Sequence, residues 1–157
     1  MDKTDKPEPT QSQPTMGYFE GRKHYYPIRV FYEDTDFTGV VFYANYLRFL
    51  ERARSSFFRL AGVSHAELLE RDVPLGFAIR KIDLEYKKPA RIDDALLVMT
   101  SYERYKGARL WVSQEVWRGD ELLTTAYSEA ACIDMNGRPR RPTPKMIEKL
   151  QPYFLPD

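Results

Sequence analysis

The fold is decided in residues 32–46, YEDTDFTGVVFYANY, where a strand-like segment gives way to a helical one. Residues 27–32 lead into this run and alternate apolar with mixed positions, as a β-strand does. Within the run, closely spaced carboxylates and hydroxyls followed by Gly39 favour a turn. From Asn45 onward the apolar residues recur at helical spacing, so the run predicts a strand, a turn and a helix in that order.

One long helix is predicted to begin at Asn45 and to end just before Gly62. Its apolar positions, expected to be core, are Tyr46, Phe49, Leu50, Ala53, Phe57 and Leu60. The residues on its other faces are Arg48, Glu51, Arg52 and Arg54. Asn45 is a suitable N-cap, and Gly62 stands where a glycine commonly follows a helix.

Four strand-like segments dominate the rest of the chain. They span residues 75–88, 95–106, 109–118 and 121–134. Shorter helices are expected near residues 63–71 and 143–153, capped by Ser64 and Thr143. This order of elements predicts an α+β fold, a five-stranded antiparallel sheet wrapped around the one long helix. The other face of such a sheet stays partly apolar, which favours dimerisation.

The composition of the chain limits which domain organisations and functions are plausible. Residues 1–22 are polar and proline-rich and predict a disordered tail, whereas residues 23–157 predict a single domain. A net charge of +1 favours neither nucleic acid nor membrane as a partner, and no apolar stretch is long enough for a membrane span. One cysteine and two histidines predict neither a disulfide nor a metal site. A cytoplasmic location is the simplest interpretation.

The run at residues 32–46 continues as LRFLERAR over residues 47–54. Together they resemble the signature of the 4-hydroxybenzoyl-CoA thioesterase family, and look most like the acyl-CoA thioesterases associated with the bacterial Tol-Pal system. The resemblance recurs more loosely at residues 86–90, YKKPA, and at the Gly-Arg-Pro turn, and it covers residues from about 26 to 148. An Asp-x-Asp-x-x-Gly-x-Val-x-Tyr run directly before a long helix is far more specific than a lone glycine motif.

This resemblance implies a hotdog fold, a curved antiparallel sheet around a central helix, with active sites at a dimer interface. By position it implies that Asp36 is the catalytic carboxylate and that the backbone N–H of Tyr43 donates to the oxyanion. A helix N-terminus suits that second role, because thioester hydrolysis develops negative charge on the carbonyl oxygen. Asp36 would either attack the carbonyl carbon or activate a water. Gly39 and Val41 are expected to contact the substrate, with Gly39 allowing close backbone approach.

One position departs from the resemblance. The Tol-Pal-associated proteins commonly carry histidine where this chain has Tyr43, whereas the 4-hydroxybenzoyl-CoA enzymes carry tyrosine. A role of that histidine in catalysis or substrate choice is therefore not expected here. Donation by the backbone N–H does not depend on the side chain, so activity is still predicted.

The phosphates of coenzyme A require basic side chains at the mouth of the site. Two basic groups fit: Arg104 with Lys106 at one hairpin, and Arg138, Arg140 and Arg141 after the last strand. The alternative for both groups is ordinary solvated charge. Lys87 and Lys88 are weaker candidates of the same kind.

Several polar residues have plainer interpretations. Asp34 is expected to cap backbone N–H groups, and Glu51 to be solvated or ion-paired, although some hotdog enzymes use a helix glutamate as a base. His65 is expected on the surface, and His24 at the margin of the disordered tail. Neither histidine is suitably placed for a hotdog dehydratase, which makes that function the weakest candidate.

The first hypothesis is therefore an acyl-CoA thioesterase acting on short-chain aliphatic or aromatic acyl groups. It needs no metal or cofactor, coenzyme A being part of the substrate, and would be a homodimer or a dimer of dimers, a tetramer. A second hypothesis is a thioesterase for acyl carrier protein, in which the basic groups meet an acidic protein surface. A third is a non-catalytic protein that binds acyl thioesters.

Overall fold

A computed structural model describes residues 13–155, which form one antiparallel sheet and three α-helices. The elements in chain order are β1 (Tyr18–Glu20), β2 (Lys23–Arg29), α1 (Asn45–Ala61), α2 (His65–Leu69), β3 (Gly76–Tyr86), β4 (Ala95–Lys106), β5 (Arg109–Arg118), β6 (Glu121–Ile133) and α3 (Pro144–Leu150). The strand order in the sheet is β1-β2-β4-β5-β6-β3. The predicted α+β hotdog fold is confirmed, although the sheet has six strands where five were predicted.

The additional strand, β1, lies in the predicted disordered tail. Residues 1–12 of that tail are outside the described residues, but its predicted extension to residue 22 is wrong. β1 pairs with β2, and the Phe19 ring stacks on Tyr153 at 4.0 Å and meets Phe57 edge-on at 5.0 Å. An aromatic side chain that reaches the core thus orders a segment whose average composition is polar.

His24 is buried instead of lying at the margin of a tail. Its Nε2 lies 2.7 Å from the carbonyl oxygen of Met16, so the ring donates from Nε2 to that oxygen. Burial lowers the pKa of His24, which favours the neutral ring. His24 is therefore a core residue that ties the segment before β1 to the sheet.

The helix α1 packs against β2 and β4. Its two halves contribute to two different apolar clusters. The cluster under its first half includes Val30, Tyr46, Phe49, Leu50, Ala53, Val98 and Val116. The cluster under its second half includes Phe57, Phe58, Tyr102, Leu110 and Val112. The apolar positions predicted from helical spacing thus form the core, except for the half-buried Leu60.

A buried polar layer lies between the two clusters. Arg54 donates from Nη1 to Oε1 of Gln114 at 2.9 Å, and Gln114 Nε2 donates to Thr100 Oγ1 at 3.0 Å. The same Nε2 also donates to the carbonyl oxygen of Leu50 at 3.0 Å. Arg54 lies off the predicted apolar stripe but is buried, because Gln114 and the carboxylate of Glu51 satisfy its guanidinium.

The ends of the elements follow local signals in most cases. The side chains of Ser64 and Thr143 accept from the backbone N–H groups of Glu67 and Met146, as predicted for the N-caps of α2 and α3. The prediction that Asn45 caps α1 is wrong. Asn45 is the first helical residue, and its side-chain amide donates to the carbonyl oxygen of Asp34 at 2.9 Å instead of capping the helix.

One edge of the sheet is a long strand with a single partner. β3 pairs with β6, and no other strand among residues 13–155 pairs with it. Most of its central residues are exposed, including Ile79 and Ile82. An unpaired edge of this length presents a row of backbone donors and acceptors that another chain can use.

Candidate active site

The loop between β2 and α1 is fixed against the segment that precedes β4. The N–H of Val41 donates to the carbonyl oxygen of Ala90 at 2.9 Å, and the N–H of Ile92 donates to that of Gly39 at 3.0 Å. The Val41 side chain is buried in the core at 5% exposure. It anchors the loop, so its predicted contact with substrate gains no support from its position.

Asp36 lies in this loop with one carboxylate oxygen engaged and one free. Its Oδ1 accepts from the N–H of Thr38 at 2.8 Å and from the Thr38 hydroxyl at 2.5 Å. These hydrogen bonds lower the pKa of Asp36 and keep it ionised, and the bond from the Thr38 hydroxyl has the largest effect. No group in residues 13–155 donates to its Oδ2. The half-exposed carboxylate can therefore accept from a water or approach an electrophile through Oδ2.

The turn that leads into α1 leaves a backbone donor open next to this loop. No residue among 13–155 accepts a hydrogen bond from the N–H of Tyr43, and α1 has no side-chain N-cap. The N-terminus of a helix favours negative charge through such free N–H groups and through its dipole. The Tyr43 side chain points away from the core at 65% exposure.

Three hydrogen bonds hold the start of α1 in place, and two of them join it to the Asp36 segment. The carbonyl oxygen of Asp34 accepts from the N–H of Phe42 at 3.0 Å and from the side chain of Asn45. The hydroxyl of Tyr86, at the end of β3, donates to the carbonyl oxygen of Tyr43 at 2.6 Å. The loop is thus braced on two sides, which fixes the carboxylate and the open N–H group relative to each other.

Gly39 permits the turn that presents Asp36. Its φ is +80°, a conformation that residues with a side chain rarely adopt, and a Cβ at this position would meet no atom within 4 Å. Its glycine identity is therefore explained by backbone conformation. The predicted close approach of substrate at Gly39 stays a prediction.

The two basic groups predicted to meet the phosphates lie at the opposite end of the sheet. Lys106 ends β4, whose first residue, Ala95, lies beside the Asp36 end. Arg138 and Arg141 follow the far end of β6 and are exposed. Because β4 has 12 residues, it separates its two ends by roughly 35 Å. One chain alone does not bring these groups to Asp36.

The other basic side chains have partners within the chain. The Arg104 guanidinium stacks on the Trp111 ring at 3.8 Å, and Nε of Arg140 donates to Asp134 at 3.0 Å. At the Asp36 end, Lys87 and Lys88 form ion pairs with neighbouring glutamates. Arg138, Arg141 and Lys106 thus remain as the candidates with neither an ion pair nor an aromatic partner among residues 13–155.

Glu51 is placed as predicted, in an ion pair and away from Asp36. Its Oε2 lies 2.7 Å from Nη2 of Arg54, one turn further along α1. His65 is half-buried rather than on the surface, with its ring against Phe58 and Phe77, and burial lowers its pKa. The surface prediction for His65 failed because an aromatic ring can complete an apolar cluster.

Thr38 and Tyr86 are the two residues of the site that sequence reasoning did not single out. Thr38 follows Asp36 by two positions, a spacing at which a hydroxyl commonly bonds an aspartate. Tyr86 stands in the YKKPA segment, whose spacing alone does not connect it to the helix. Within residues 13–155 no group of His, Cys, Asp or Glu could hold a metal ion, and hydrolysis without a metal stays a prediction.

The fold and site define a hotdog protein with an ionised carboxylate beside the open N-terminus of its central helix. Residues 30–150 match the model of the thioesterase-like superfamily, and the chain belongs to that family. The acyl-CoA thioesterase YbgC of Haemophilus influenzae is 38% identical over 110 residues, which cover 70% of this chain and 80% of the relative. The predicted family resemblance is confirmed.

Solved structures agree with this assignment. A probable thioesterase from Bartonella henselae is 38% identical, with a TM-score of 0.75 over 77% of this chain and 99% of the other. A 4-hydroxybenzoyl CoA thioesterase, only 23% identical, shares the fold with a TM-score of 0.75 over 82% of this chain and 99% of its own. Among residues 13–155, none of the helices is both long enough and apolar enough to cross a bilayer.

Proposed function

We propose that the protein hydrolyses acyl-coenzyme A thioesters, with Asp36 as the catalytic carboxylate and the N–H of Tyr43 as the oxyanion donor. The observation that carries this proposal is the free Oδ2 of Asp36 in a loop braced against the open N-terminus of α1. A carboxylate that stays ionised supplies a base or nucleophile, while the N–H group stabilises charge on the carbonyl oxygen. The names of relatives such as the H. influenzae acyl-CoA thioesterase support the substrate class.

Two routes are open to Asp36. As a general base, it takes a proton from a water that attacks the carbonyl carbon, and the C–S bond breaks to release the coenzyme A thiolate. As a nucleophile, Asp36 itself displaces the thiolate, and water then hydrolyses the mixed anhydride. Both routes yield a carboxylic acid and free coenzyme A and use the same oxyanion donor.

A homodimer formed through β3 would complete this site. β3 runs from the end of the sheet near Arg138 towards the end near Asp36. Two antiparallel β3 strands would therefore place the basic end of one subunit beside the Asp36 end of the other. That arrangement gives Lys106, Arg138 and Arg141 access to coenzyme A phosphates. Further pairing into a tetramer and a cytoplasmic location stay predictions.

An acyl carrier protein is the second candidate for the thiol carrier. The same exposed cations would then face the acidic surface of that protein, and the chemistry at Asp36 would be unchanged. Hydrolysis of acyl carrier substrates would fall steeply with salt, because it depends on screened surface charges. High activity on acyl-carrier substrates with little acyl-CoA turnover would identify this carrier.

The test is thiol release from a panel of aliphatic and aromatic acyl-CoAs, for the wild type, Asp36→Asn and a control, Asp120→Asn. Asp120 is an exposed carboxyl in the β5–β6 turn. We expect Asp36→Asn to lower kcat/KM by about a hundredfold or more, since the amide cannot take up a proton. Asp120→Asn should match the wild type, and all three proteins should melt at similar temperatures.

Each contrary result has a distinct meaning. Wild-type turnover that survives in Asp36→Asn would remove Asp36 from the mechanism. Absence of turnover on both acyl-CoA and acyl-carrier substrates, with binding retained, would leave a non-catalytic thioester-binding protein.

A further inference from the structure

A pocket lies at the other end of α1 from Asp36. It has a volume of about 530 Å³, within the range of small-molecule sites, and is formed where the end of α1 meets α2 and α3. The 17 residues of α1 span roughly 25 Å, so this pocket is well separated from the Asp36 loop of the same chain. None of its lining residues has a role in the proposed hydrolysis.

The walls of the pocket combine apolar and cationic side chains. Its apolar part includes the buried side chains of Val63, Leu68 and Met146. Its charged residues are Arg71, Lys145, Lys149 and Glu67. Three cations thus stand against one carboxylate, and no ion pair in residues 13–155 involves any of the four.

Lys149 holds the pocket together. Its Nζ donates to the carbonyl oxygen of Gly62 at 2.7 Å, which ties α3 to the end of α1. An ammonium group has three donors, so Lys149 keeps further hydrogen bonds to offer. Arg71, which follows α2, and Lys145, in α3, line the same pocket. The cations therefore belong to separate elements that this contact holds in place.

We infer that this pocket binds a small amphipathic carboxylate, with its apolar chain against Leu68 and Met146 and its charge near Arg71, Lys145 and Lys149. The excess of two cations complements one anionic head group. The buried apolar side chains complement a short hydrocarbon chain, which simple inorganic anions lack. A concave pocket of this size fits such a molecule better than it fits the surface of a protein partner.

The experiment is a titration of the full-length protein with hexanoate. Calorimetry measures the affinity, and amide NMR shifts locate the binding site. Shifts should concentrate in residues 62–71 and 143–149 rather than in 36–43. Butanoate, hexanoate and octanoate should bind with rising affinity, by roughly three- to fourfold for each methylene until the pocket is filled. Hexanol, which lacks the charge, should bind at least about tenfold more weakly than hexanoate.

A pair of variants tests the residues. Arg71→Gln with Lys145→Gln should weaken hexanoate binding by about tenfold or more, and should leave kcat/KM for acyl-CoA unchanged. The charge-matched control is Arg22→Gln with Lys23→Gln, two exposed residues at the β1–β2 turn, which should bind hexanoate as the wild type does.

Three results would overturn the inference. Equal affinity for phosphate and for all chain lengths would reduce the pocket to a nonspecific cationic surface. Displacement of hexanoate by coenzyme A, with a raised KM in the Arg71 and Lys145 variant, would make the pocket part of the hydrolytic site. Binding of acidic polyglutamate but not hexanoate to the same residues would indicate a protein-docking surface.

Discussion

The two ends of α1 are built in opposite ways. At its C-terminus Gly62 adopts φ +100°, and its N–H and that of Val63 donate back to the carbonyl oxygens of Arg59 and Phe58. Lys149 adds a further donor to the carbonyl oxygen of Gly62. At its N-terminus there is no side-chain cap, and the N–H of Tyr43 has no acceptor in residues 13–155.

This difference separates stability from chemistry. Satisfied carbonyl groups stabilise the C-terminal end of the helix, and they leave nothing there for a reacting group. Unsatisfied N–H groups cost stability at the N-terminal end, and that is the end beside the ionised carboxylate of Asp36. Changes at the N-terminus should therefore affect turnover, whereas changes at the C-terminus should affect stability.

The sharpest test removes the open donor at Tyr43. Tyr43→Pro eliminates its N–H, and proline suits this position, the second of the turn closed by the hydrogen bond from the N–H of Asn45 to the carbonyl oxygen of Phe42. We expect kcat to fall by about a hundredfold or more, the usual effect of losing one oxyanion donor. Stopped-flow or steady-state thiol release measures the loss.

The matched control is Tyr43→Ala, which keeps the N–H and removes only the exposed ring. It should retain activity within about fivefold, since the backbone supplies the proposed donor. A thermal melt of both variants separates chemistry from unfolding. Equal losses of activity in the two folded variants would assign the role to the tyrosine side chain.

The opposite end is tested by Gly62→Ala. The alanine would have to adopt a left-handed conformation, and its Cβ would lie 3.3 Å from Cδ of Lys149. We expect a loss of about 1–2 kcal/mol in the free energy of unfolding, with kcat within about twofold of the wild type. Urea denaturation measures the first quantity and thiol release the second. A drop in kcat without loss of stability would contradict the proposed division between the two ends.

Sequence patterns predicted the parts of this molecule whose causes are local. The strands after residue 75, the caps at Ser64 and Thr143 and the glycine at Gly62 each follow from spacing or backbone chemistry within a few residues. The Asp36 loop was also found, because its carboxylates, hydroxyls and glycine are contiguous. Its identification with a catalytic function came from the family resemblance.

What the sequence did not reveal depends on contacts between distant segments. β1 forms because Phe19 reaches Tyr153, and Arg54 is buried because Gln114 lies opposite it on β5. Tyr86 joins the site through a hydrogen bond to Tyr43 across 43 positions of the chain. Periodicity within one element carries no information about such partners.

The smallest expected effect concerns the hydroxyl of Thr38. That hydroxyl is the main cause of the lowered pKa of Asp36, and Thr38→Val removes it while keeping the backbone N–H that also donates to Oδ1. The pKa of Asp36 should then rise towards its ordinary value. Because only the ionised carboxylate acts as base or nucleophile, the acidic limb of the kcat/KM profile should move to higher pH, with little change near neutrality.

A second loop hydroxyl provides the comparison for that shift. Thr35 donates to the carbonyl oxygen of Tyr32 at 2.8 Å and does not contact the Asp36 carboxylate, so Thr35→Val should leave the acidic limb in place. The measurement is the kcat/KM profile of the wild type, Thr38→Val and Thr35→Val from pH 3 to 8, at constant ionic strength. An unmoved limb in Thr38→Val would mean that another group titrates in the reaction. The open N-terminus of α1 would then act with a carboxylate other than Asp36.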